Sequence, residues 1–316
     1  MLAVQYRQFG GPDVLQLIDV PDPEPGPGEV RVTLHAASVI PADWKLRAGH
    51  LKQLFSISFP KIPGRDGAGV VSKLGPGVDY VAVGTRVGVI ARHIEPGTYA
   101  QSIVRDRASI VPLPGNVGFE EGAALMHAGV CAWICLVETA RLRPRMRIVV
   151  QGGAGAIGGL AVQLAHHLGA HVAATCRADN VDYVRSLGAD EVVAYDRDDF
   201  AASLREYDVV LDLIGGEVHA RSYVTLKRGG HMVCLIAAPF ENQAQKFDVR
   251  VTTPRIHDGH YAMDAVVDLA ARGVLRPQIS SRMALAEAAE AHRRLEARAV
   301  TRGRIVLEIP PAGSAA

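Results

Sequence analysis

Apolar and polar positions alternate in short runs over the first 115 residues of the chain. Runs of this kind are residues 29–38 (EVRVTLHAAS), 68–75 (AGVVSKLG) and 85–90 (TRVGVI), and Pro and Gly divide them. A period of two with such breaks is typical of short antiparallel strands. The pattern predicts an antiparallel, barrel-like domain for this part of the chain.

A different pattern begins at residues 147–168, which read RIVVQGGAGAIGGLAVQLAHHL. Residues 148–150 form a β-branched run, typical of a strand that is buried on both faces of a parallel sheet. Glycines follow at once, and apolar residues then recur at helical spacing. Four more strand patterns alternate with helical or glycine-rich segments, near residues 171–176, 191–195, 208–213 and 231–236. This alternation predicts a doubly wound parallel sheet with right-handed crossovers, the Rossmann arrangement.

The glycines between the first strand and its helix have the spacing G-x-G-x-x-G, at Gly153, Gly155 and Gly158. In a dinucleotide-binding turn these glycines provide a tight turn, a close approach of the backbone to a pyrophosphate, and close packing of helix on strand. The phosphates are then expected at the positive end of the helix, on its free N–H groups.

The end of the second strand indicates which dinucleotide is bound. An NAD site presents Asp or Glu there to the ribose 2′-hydroxyl, whereas this chain has Thr175, Cys176 and Arg177. A guanidinium suits a 2′-phosphate, because it can make charge-assisted, bidentate hydrogen bonds. The sequence therefore favours NADP(H). In the alternative interpretation Arg177 is a solvated loop residue, and Asp179 serves a ribose.

The remaining segments complete a two-domain organisation. Helical spacing at residues 119–137 leads into the nucleotide-binding unit, and apolar patterns predict a sixth strand, two helices and a last strand, at residues 247–252, 262–272, 285–295 and 304–309. We therefore predict a discontinuous outer domain, residues 1–118 and 258–316, around a nucleotide domain at 119–257. A nicotinamide ring and a substrate would meet in the cleft between the domains.

The amino-acid composition argues against a nucleic-acid-binding or membrane protein. The 316 residues are 48% hydrophobic and carry 34 basic and 33 acidic side chains, a net charge of +1 without charged blocks. This balance gives no reason to expect a nucleic-acid partner or an anionic membrane surface. No apolar run approaches the roughly 20 residues of a membrane span, and no secretory signal pattern is seen. We expect a cytoplasmic protein whose four cysteines are buried free thiols, because none forms a C-x-x-C pair.

Several motifs together resemble one family. They are HAASVIPADWKLRAG (35–49), IPGRDGAGVVSKLGPGV (62–78), GTYAQ (97–101), QGGAGAIG (151–158), RSLGAD (185–190), VVLDLIGG (209–216) and LKRGGHMV (226–233). With them the chain resembles the zinc-independent medium-chain dehydrogenase/reductases of the quinone oxidoreductase-like branch. The resemblance implies a GroES-like antiparallel barrel domain joined to a Rossmann domain.

The resemblance also bears on metal binding. Zinc-dependent members have Cys at the position of Ile40 and His at that of Arg65, and they insert a four-cysteine lobe in the first domain. This chain has neither ligand, and no cysteine stands between Arg92 and Arg105. We therefore expect no metal. Quinone oxidoreductases usually have Asn where Ile40 stands, so the amide hydrogen bond of that Asn to a reacting carbonyl is lost.

The resemblance further implies the positions that contact the cofactor. Gly153, Ala156 and Ile157 would lie at the pyrophosphate, Arg177 and Asn180 at the adenosine phosphate, and Tyr195 beside the adenine ribose. It places Cys131 near the nicotinamide, and it places Ile214, Gly215 and Ile236 with Ala237 and Ala238 along the cofactor at the strand ends.

The implied chemistry is hydride transfer from NADPH to a quinone, or to the carbon β to a carbonyl in an enone. Candidate catalytic residues are Asp43, Lys45, Tyr99 and His127, and candidate pocket residues are Ile40, Trp44 and Arg65. Each has a structural alternative: Asp43 as a cap, Tyr99 and His127 as packed side chains, and Arg65 in an internal ion pair. Direct protonation of the enolate by solvent is a further alternative.

Three hypotheses of function follow. The first is an NADPH-dependent quinone or enone reductase, acting as a homodimer. The second is a non-catalytic NADPH-binding redox sensor, favoured by the missing Asn at Ile40. The third is an enoyl reductase that acts on a carrier-bound biosynthetic intermediate.

Overall fold

The computed structural model describes residues 1–236, 239–256 and 260–311. The outer domain is built on a seven-stranded, mostly antiparallel sheet and a small two-stranded sheet, β1–β2. Its strands are β1 (Leu2–Gln5), β2 (Gln16–Asp19), β3 (Glu29–Val39), β4 (Asp66–Leu74), β5 (Arg86–Ile90), β6 (Ser102–Asp106), β7 (Ile110–Pro112), β14 (Ile279–Ala284) and β15 (Arg304–Glu308). The order β14-β15-β3-β4-β5-β7, with β6 also on β3, brings the two ends of the chain into one sheet.

The nucleotide domain contains a six-stranded sheet in which every pair of neighbouring strands is parallel. Its strands are β8 (Arg147–Gln151), β9 (His171–Cys176), β10 (Glu191–Ala194), β11 (Tyr207–Asp212), β12 (Leu226–Cys234) and β13 (Arg250–Thr252). The order is β10-β9-β8-β11-β12-β13. The chain runs outward from β8 in one direction and from β11 in the other, so the β8–β11 boundary is the topological switch point where dinucleotides bind.

Helices cover the sheets. They are α1 (Pro41–Arg47), α2 (Phe119–Trp133), α3 (Ala156–His167), α4 (Val181–Ser186), α5 (Phe200–Ser203), α6 (Gly216–Ser222), α7 (Ala244–Phe247), α8 (His260–Ala271) and α9 (Ala288–Glu296). Helix α2 continues as a wider π-type turn, Ile134–Thr139, and packs between α3, α8 and the outer sheet.

The segment Phe119–Thr139 is long and apolar enough to cross a membrane by length and composition. Most of it is buried inside the protein, with 72% of its most apolar window enclosed. Its side chains belong to the largest hydrophobic cluster, together with those of β8 and α3. Packing between the domains therefore accounts for its apolar character, since a fully buried helix is hydrophobic on all sides.

Most predicted elements agree with the structure to within two or three residues, but two predictions near the C-terminal end were wrong. The predicted strand at 247–252 is only β13, Arg250–Thr252, because Phe247 ends the short helix α7. Strand β14, Ile279–Ala284, was missed: no strand was predicted before the helix at 285–295, whereas these residues form a strand that is parallel to β15. The predicted domain boundary at 257–258 lies outside the described residues.

Candidate functional site

The glycine turn after β8 is shaped by backbone sterics. Gly152 has φ +81°, a conformation that favours glycine, so the tight turn is made one residue before the predicted motif. A Cβ at Gly153 would lie 2.8 Å from that of Ala174, and one at Gly158 would lie 2.1 Å from the carbonyl oxygen of Gly152. Gly158 thus permits close packing of α3 on β8, as its place in the motif predicted.

Gly155 differs from its neighbours in the turn. A Cβ there would meet only the carbonyl oxygen of Gly152, at an ordinary 3.4 Å, and φ is −69°. The protein itself therefore does not require glycine at this position. The residue lies at the N-cap of the 12-residue helix α3, next to Ala156 and Ile157, where N–H groups are available to an anion.

A buried hydrogen-bond network holds the turn from below. Thr175 accepts a hydrogen bond from the amide of Gly152 at 3.1 Å and donates one to Gln151 at 2.7 Å. Gln151 in turn donates to the hydroxyl of Ser222 at 3.0 Å. Thr175 is 2% exposed. Thr175 therefore supports the turn through its hydroxyl. Gln151 and Ser222 were not predicted, because only the fold brings them together.

The end of β9 forms the predicted adenosine side of the site. Arg177 is exposed there, and Tyr195 at the end of β10 is 53% exposed beside it, since its amide bonds to the carbonyl of Cys176. Asn180 is only 3% exposed, and its side chain donates to the carbonyl of Thr301 in the outer domain. Of the two residues predicted at the adenosine phosphate, Arg177 is thus presented to solvent, and Asn180 joins the domains.

The end of β11 carries further residues that were predicted to line the cofactor. One carboxylate oxygen of Asp212 accepts hydrogen bonds from the amides of Ile214 and Gly215, at 2.9 and 3.0 Å. Ile214 is 55% exposed and lies over Gly152, and Ile236 packs where a Cβ of Gly215 would be. The predicted contacts Ala237 and Ala238 lie outside the described residues. Two exposed or half-buried isoleucines therefore stand at the switch point, above the glycine turn.

Behind this turn lies a buried polar chain that sequence reasoning missed. The second carboxylate oxygen of Asp212 is 2.8 Å from Nδ1 of His219, and Nε2 of His219 is 3.1 Å from the hydroxyl of Tyr223. Tyr223 also accepts a hydrogen bond from the amide of Gln243. This row of hydrogen bonds therefore connects the turn after β11 with the loop after β12.

In the described part of the chain, one group of three metal-type side chains comes together, formed by Asp212, His219 and Cys234. All three are buried, and burial raises the pKa of the Cys234 thiol to about 12. The Asp212–His219 contact is already a hydrogen bond, and Cys234 is a thiol at neutral pH. Asp212 and His219 are thus part of a hydrogen-bonded core cluster, in which Asp212 also accepts from the amides of Ile214 and Gly215 and His219 also contacts the hydroxyl of Tyr223.

A cleft of about 440 Å³ opens between the domains. Its lining combines polar and apolar side chains from both domains: Arg65, Arg92, His93, His127, Phe55, Ile94 and Ile256. Its size is in the range of small-molecule sites. A larger cavity, about 500 Å³, lies on the far side of the 92–97 loop in the outer domain. We place the site in the smaller one, because His127 and Ile256 connect it to the nucleotide domain.

Both histidines of the cleft are neutral. Burial, with the positive charges of Arg65 and Lys61, lowers the pKa of His93 to about 3. Burial, with the charges of Arg65 and Arg304, also lowers the pKa of His127 well below its usual value. A neutral imidazole can donate one hydrogen bond and accept another, but it is not a proton reservoir at pH 7. Arg65 is therefore the main positive charge at the inner end of the cleft.

Helix α2 presents His127 and Cys131 to this region one helical turn apart. The Cys131 sulfur is 3.4 Å from Nε2 of His127, and burial raises the pKa of the thiol to about 12. Asp66 fixes the helix, since its carboxylate accepts from the amide of His127 at 3.3 Å and from Arg304 at 2.5 Å. Arg304, which sequence reasoning did not consider, is thus an ion-pair partner of Asp66.

The other predicted catalytic residues lie away from the cleft. Asp43 and Tyr99 are 3% and 0% exposed, and the Tyr99 hydroxyl donates to the Asp43 carboxylate at 3.0 Å inside the outer domain. Asp43 also accepts from the amide of Ile40, as a helix cap does. Lys45 lies over the ring of Trp44. Asp43 therefore acts as a helix cap and Tyr99 as a packed, hydrogen-bonded side chain, as their structural alternatives predicted. The described residues that line the cleft do not include Ile40, Trp44 or Lys45.

Comparisons with known proteins agree with this architecture. The family model of the alcohol dehydrogenase GroES-like domain matches residues 26–135, and that of the zinc-binding dehydrogenase domain matches residues 187–307. The chloroplast envelope quinone oxidoreductase homolog of Arabidopsis thaliana is 35% identical over 249 residues, 76% of each chain. The quinone oxidoreductase of Pseudomonas aeruginosa is 31% identical over 327 residues, 96% of this chain and 98% of its own.

Solved structures extend the likeness to the whole fold. The quinone oxidoreductase from Coxiella burnetii superposes with a TM-score of 0.89 at 30% identity, over 98% of this chain and 99% of that one. The Escherichia coli quinone oxidoreductase, solved in complex with NADPH, gives 0.88 at 27% identity, over 98% and 100%. The predicted GroES-like and Rossmann architecture is confirmed. The chain belongs to the quinone oxidoreductases of the medium-chain dehydrogenase/reductase superfamily.

Proposed function

We propose that the protein is an NADPH-dependent, zinc-independent reductase of quinones or of α,β-unsaturated carbonyl compounds. The observation that carries the proposal is the interdomain cleft, in which Arg65 and two neutral imidazoles, His93 and His127, lie beside the nucleotide domain. A carbonyl oxygen that gains negative charge needs hydrogen-bond donors and a cation, and this lining offers both.

The residues present fit a dinucleotide. Gly155 leaves open space at the N-terminus of α3, and Ile214 and Ile236 provide an apolar surface at the switch point. When bound, NADPH would supply the hydride. Arg177, exposed at the end of β9, would bind the 2′-phosphate, and the α3 N–H groups would bind the pyrophosphate.

The side chains of the cleft have separate tasks in this proposal. Arg65 is 9% exposed, so its charge acts in a partly dry environment and stabilises the enolate or hydroquinone oxygen. His127 and His93 orient the carbonyl by hydrogen bonding, since neither holds an acidic proton near pH 7. The proton that completes the reduction comes from water at the mouth of the cleft. Asp43 and Tyr99 maintain the outer domain.

Zinc independence is supported by the side chains at the two positions that bear ligands in zinc-dependent relatives. Ile40 has no ligand atom, and Arg65 is a cation that repels metal ions. Treatment with a zinc chelator is expected to leave turnover unchanged.

The decisive experiment measures loss of reduced-nicotinamide absorbance with purified protein, NADPH or NADH, and a panel of quinones and enones. Turnover selective for NADPH is expected with at least one panel member. Tight NADPH binding without any turnover would instead support the redox-sensor hypothesis, or the hypothesis of a carrier-bound substrate. The buried thiols argue against a cysteine-based sensor, because burial raises the pKa of Cys131, Cys234 and Cys176.

The homodimer also remains a proposal. Strand β13 is the outermost strand of the six-stranded sheet, so its second edge is open to pairing in the described structure. Light scattering at several protein concentrations would test it.

A further inference from the structure

One wall of the cleft is a short loop, residues 92–97, that also borders the larger cavity of the outer domain. His93 and Ile94 line the cleft, whereas Pro96 lines the larger cavity. The loop consists of turns and irregular backbone. Its position is therefore set by contacts with neighbouring segments, and that position decides where the His93 imidazole stands in the cleft.

The two ends of the loop are fixed by backbone hydrogen bonds. The amide of Ala91 donates to the carbonyl of Arg65 at 2.7 Å, and the amide of Gly97 donates to the carbonyl of Ile62 at 2.8 Å. These bonds set where the loop leaves and rejoins the outer domain. The residues between them need further contacts to stand at one distance from a substrate, because a loop without ladder hydrogen bonds is more mobile than a strand.

Two buried cations hold the middle of the loop from behind. The Lys61 ammonium group donates to the carbonyl of Glu95, and the Arg105 guanidinium donates to the carbonyl of the next residue, Pro96. Each of the two basic residues is only 6% exposed. Hydrogen bonds from charged donors are roughly twice as strong as those from neutral donors. The two contacts therefore restrain the loop just after His93 and Ile94.

Lys61 is itself held in place and keeps a buried charge. Its amide donates to the carbonyl of Tyr6 at 2.8 Å, and its carbonyl accepts from the amide of Tyr6 at 2.9 Å. Burial and the charge of Arg105 lower the pKa of the ammonium group to about 8, and Asp43 and Glu95 offset part of this effect. The group is therefore mostly charged at neutral pH. An apolar side chain of similar length would fill the same space without the cost of desolvation.

We propose that Lys61 is a positioning residue of the cleft, which holds the 92–97 loop by the carbonyl of Glu95 and so sets the place of His93 against the substrate. His93 also meets the ring of Phe55, with centroids 4.7 Å apart, so a displaced loop would disturb both sides of the cleft. The inference rests on the proposed function for the task of His93, which is to orient the reacting carbonyl. Lys61 is not among the described residues that line the cleft, so it acts through the loop.

The kinetic test uses Lys61→Met, which keeps the length of the side chain and removes the ammonium group. With NADPH and ethyl vinyl ketone, we expect KM for the ketone to rise about ten-fold, the lower end for loss of a charged hydrogen bond. The value of kcat should stay within about three-fold, because Arg65 still stabilises the transition state and the displaced wall weakens binding of ground and transition states alike. The Kd for NADPH should be unchanged.

A matched control is Lys73→Met, because Lys73 is half-exposed on β4 and pairs with Glu24. It should leave both kinetic constants of the ketone unchanged. An unchanged KM in Lys61→Met, or an equal rise of KM in the two variants, would overturn the proposal.

The pH profile of the unchanged protein tests the charge of Lys61. With a pKa of about 8, the ammonium group is lost as pH rises through about 8, and a neutral amine is a weaker donor. The KM for the ketone should therefore rise about three-fold between about pH 7 and about pH 9, with no such rise in Lys61→Met. A KM that is flat in the unchanged protein would contradict the role of the charge.

Other groups around Lys61 are checked in the same profile. The titratable and charged residues that face it are Tyr6, Asp43, His93, Glu95 and Arg105. Asp43 has a pKa of about 7. The variant Asp43→Asn, which removes that titration, should keep the rise of KM, and loss of the rise in Asp43→Asn would assign it to Asp43 and overturn the role of the Lys61 charge.

Hydrogen–deuterium exchange separates this inference from the proposed function, because it needs no substrate. The amides of residues 92–97 should exchange at least about three-fold faster in Lys61→Met than in the unchanged protein, and at an unchanged rate in Lys73→Met. Faster exchange in a protein that reduces no enone would support the hold of Lys61 on the loop while refuting the reductase. Unchanged exchange with normal turnover would leave the reductase standing and overturn the inference.

Discussion

The two halves of the site are built in different ways. On the nucleotide side, the backbone shapes the site. Gly152 has a positive φ, and a Cβ at Gly158 would clash with the carbonyl oxygen of Gly152. The first N–H groups of helix α3 lie at the same turn. On the cleft side, the contacts are made by side chains that converge from distant segments, such as Phe55, His93 and Ile256.

This difference determines how each half responds to substitution. A backbone-built site fails when a Cβ is added, because a main-chain carbonyl cannot move aside. A side-chain-built site tolerates changes of shape but depends on charge and on hydrogen-bond donors. The following predictions separate the two kinds of site. They run from the largest expected effect to the smallest, except that Gly155→Ala stands directly after Gly158→Ala as its matched comparison.

The largest effect is expected for Gly158→Ala. Its Cβ would lie 2.1 Å from the oxygen of Gly152, so helix and strand must separate. We expect a loss of roughly 3 kcal/mol or more in unfolding free energy, as for severe overpacking, measured by urea denaturation. NADPH binding should be lost as well.

Gly155→Ala is the matched comparison within the same turn. Its Cβ has an ordinary contact of 3.4 Å and an unstrained φ. We expect stability within about 1 kcal/mol of the unchanged protein but NADPH affinity at least about ten-fold weaker, because the methyl group occupies the space of the phosphate. Normal NADPH affinity in a well-folded Gly155→Ala would contradict the phosphate position.

On the cleft side, Arg65→Met tests whether catalysis depends on the positive charge of Arg65. It retains much of the side-chain volume and removes the cation, so we expect kcat to fall by about a hundred-fold, the usual cost of one donor at a developing oxyanion. Asp66 keeps its partner Arg304, so the melting temperature should change little. Arg65→Lys should recover part of the rate, since it restores the charge without the planar fork. A kcat unchanged in Arg65→Met would remove Arg65 from the chemistry.

The difference between the backbone-built and the side-chain-built half also explains which parts of the site could be predicted from the sequence. The glycine spacing, the β-branched runs and the exposed Arg177 are local signals, and the architecture and the turn followed from them. His93 and Phe55 stand in segments without periodicity, and only the contact between them, at 4.7 Å, brings them to the cleft. Asp43 and Tyr99 were predicted as catalytic from motif positions, whereas their burial and mutual hydrogen bond could be seen only in the fold.

Arg177→Ala tests the one side chain on the nucleotide side that we expect to select the cofactor. Loss of a charged hydrogen bond to the 2′-phosphate should weaken NADPH binding by about 1–3 kcal/mol and leave NADH binding nearly unchanged. Arg185→Ala is the control, since Arg185 is exposed on α4 and pairs with Asp182. Equal losses for NADPH and NADH, measured by fluorescence titration, would refute the phosphate assignment.

The smallest expected effect on activity concerns Asp43, and burial raises the pKa of its carboxyl group to about 7. Because the folded pKa lies above the unfolded one, this carboxyl stabilises the fold fully only below the unfolded pKa, near 3.8, and the contribution is lost as pH rises through about 7. Between about pH 5 and about pH 8 its ionisation should lower the unfolding free energy by roughly 2–3 kcal/mol. Asp43→Asn removes the titration and keeps an oxygen for the Ile40 amide, so its stability should vary less with pH over this interval. Urea denaturation of both proteins at the two pH values measures the difference. Since Asp43 lies outside the cleft, kcat of Asp43→Asn should remain within about two-fold of that of the unchanged protein. A large loss of kcat in a stable Asp43→Asn would show that this residue takes part in catalysis.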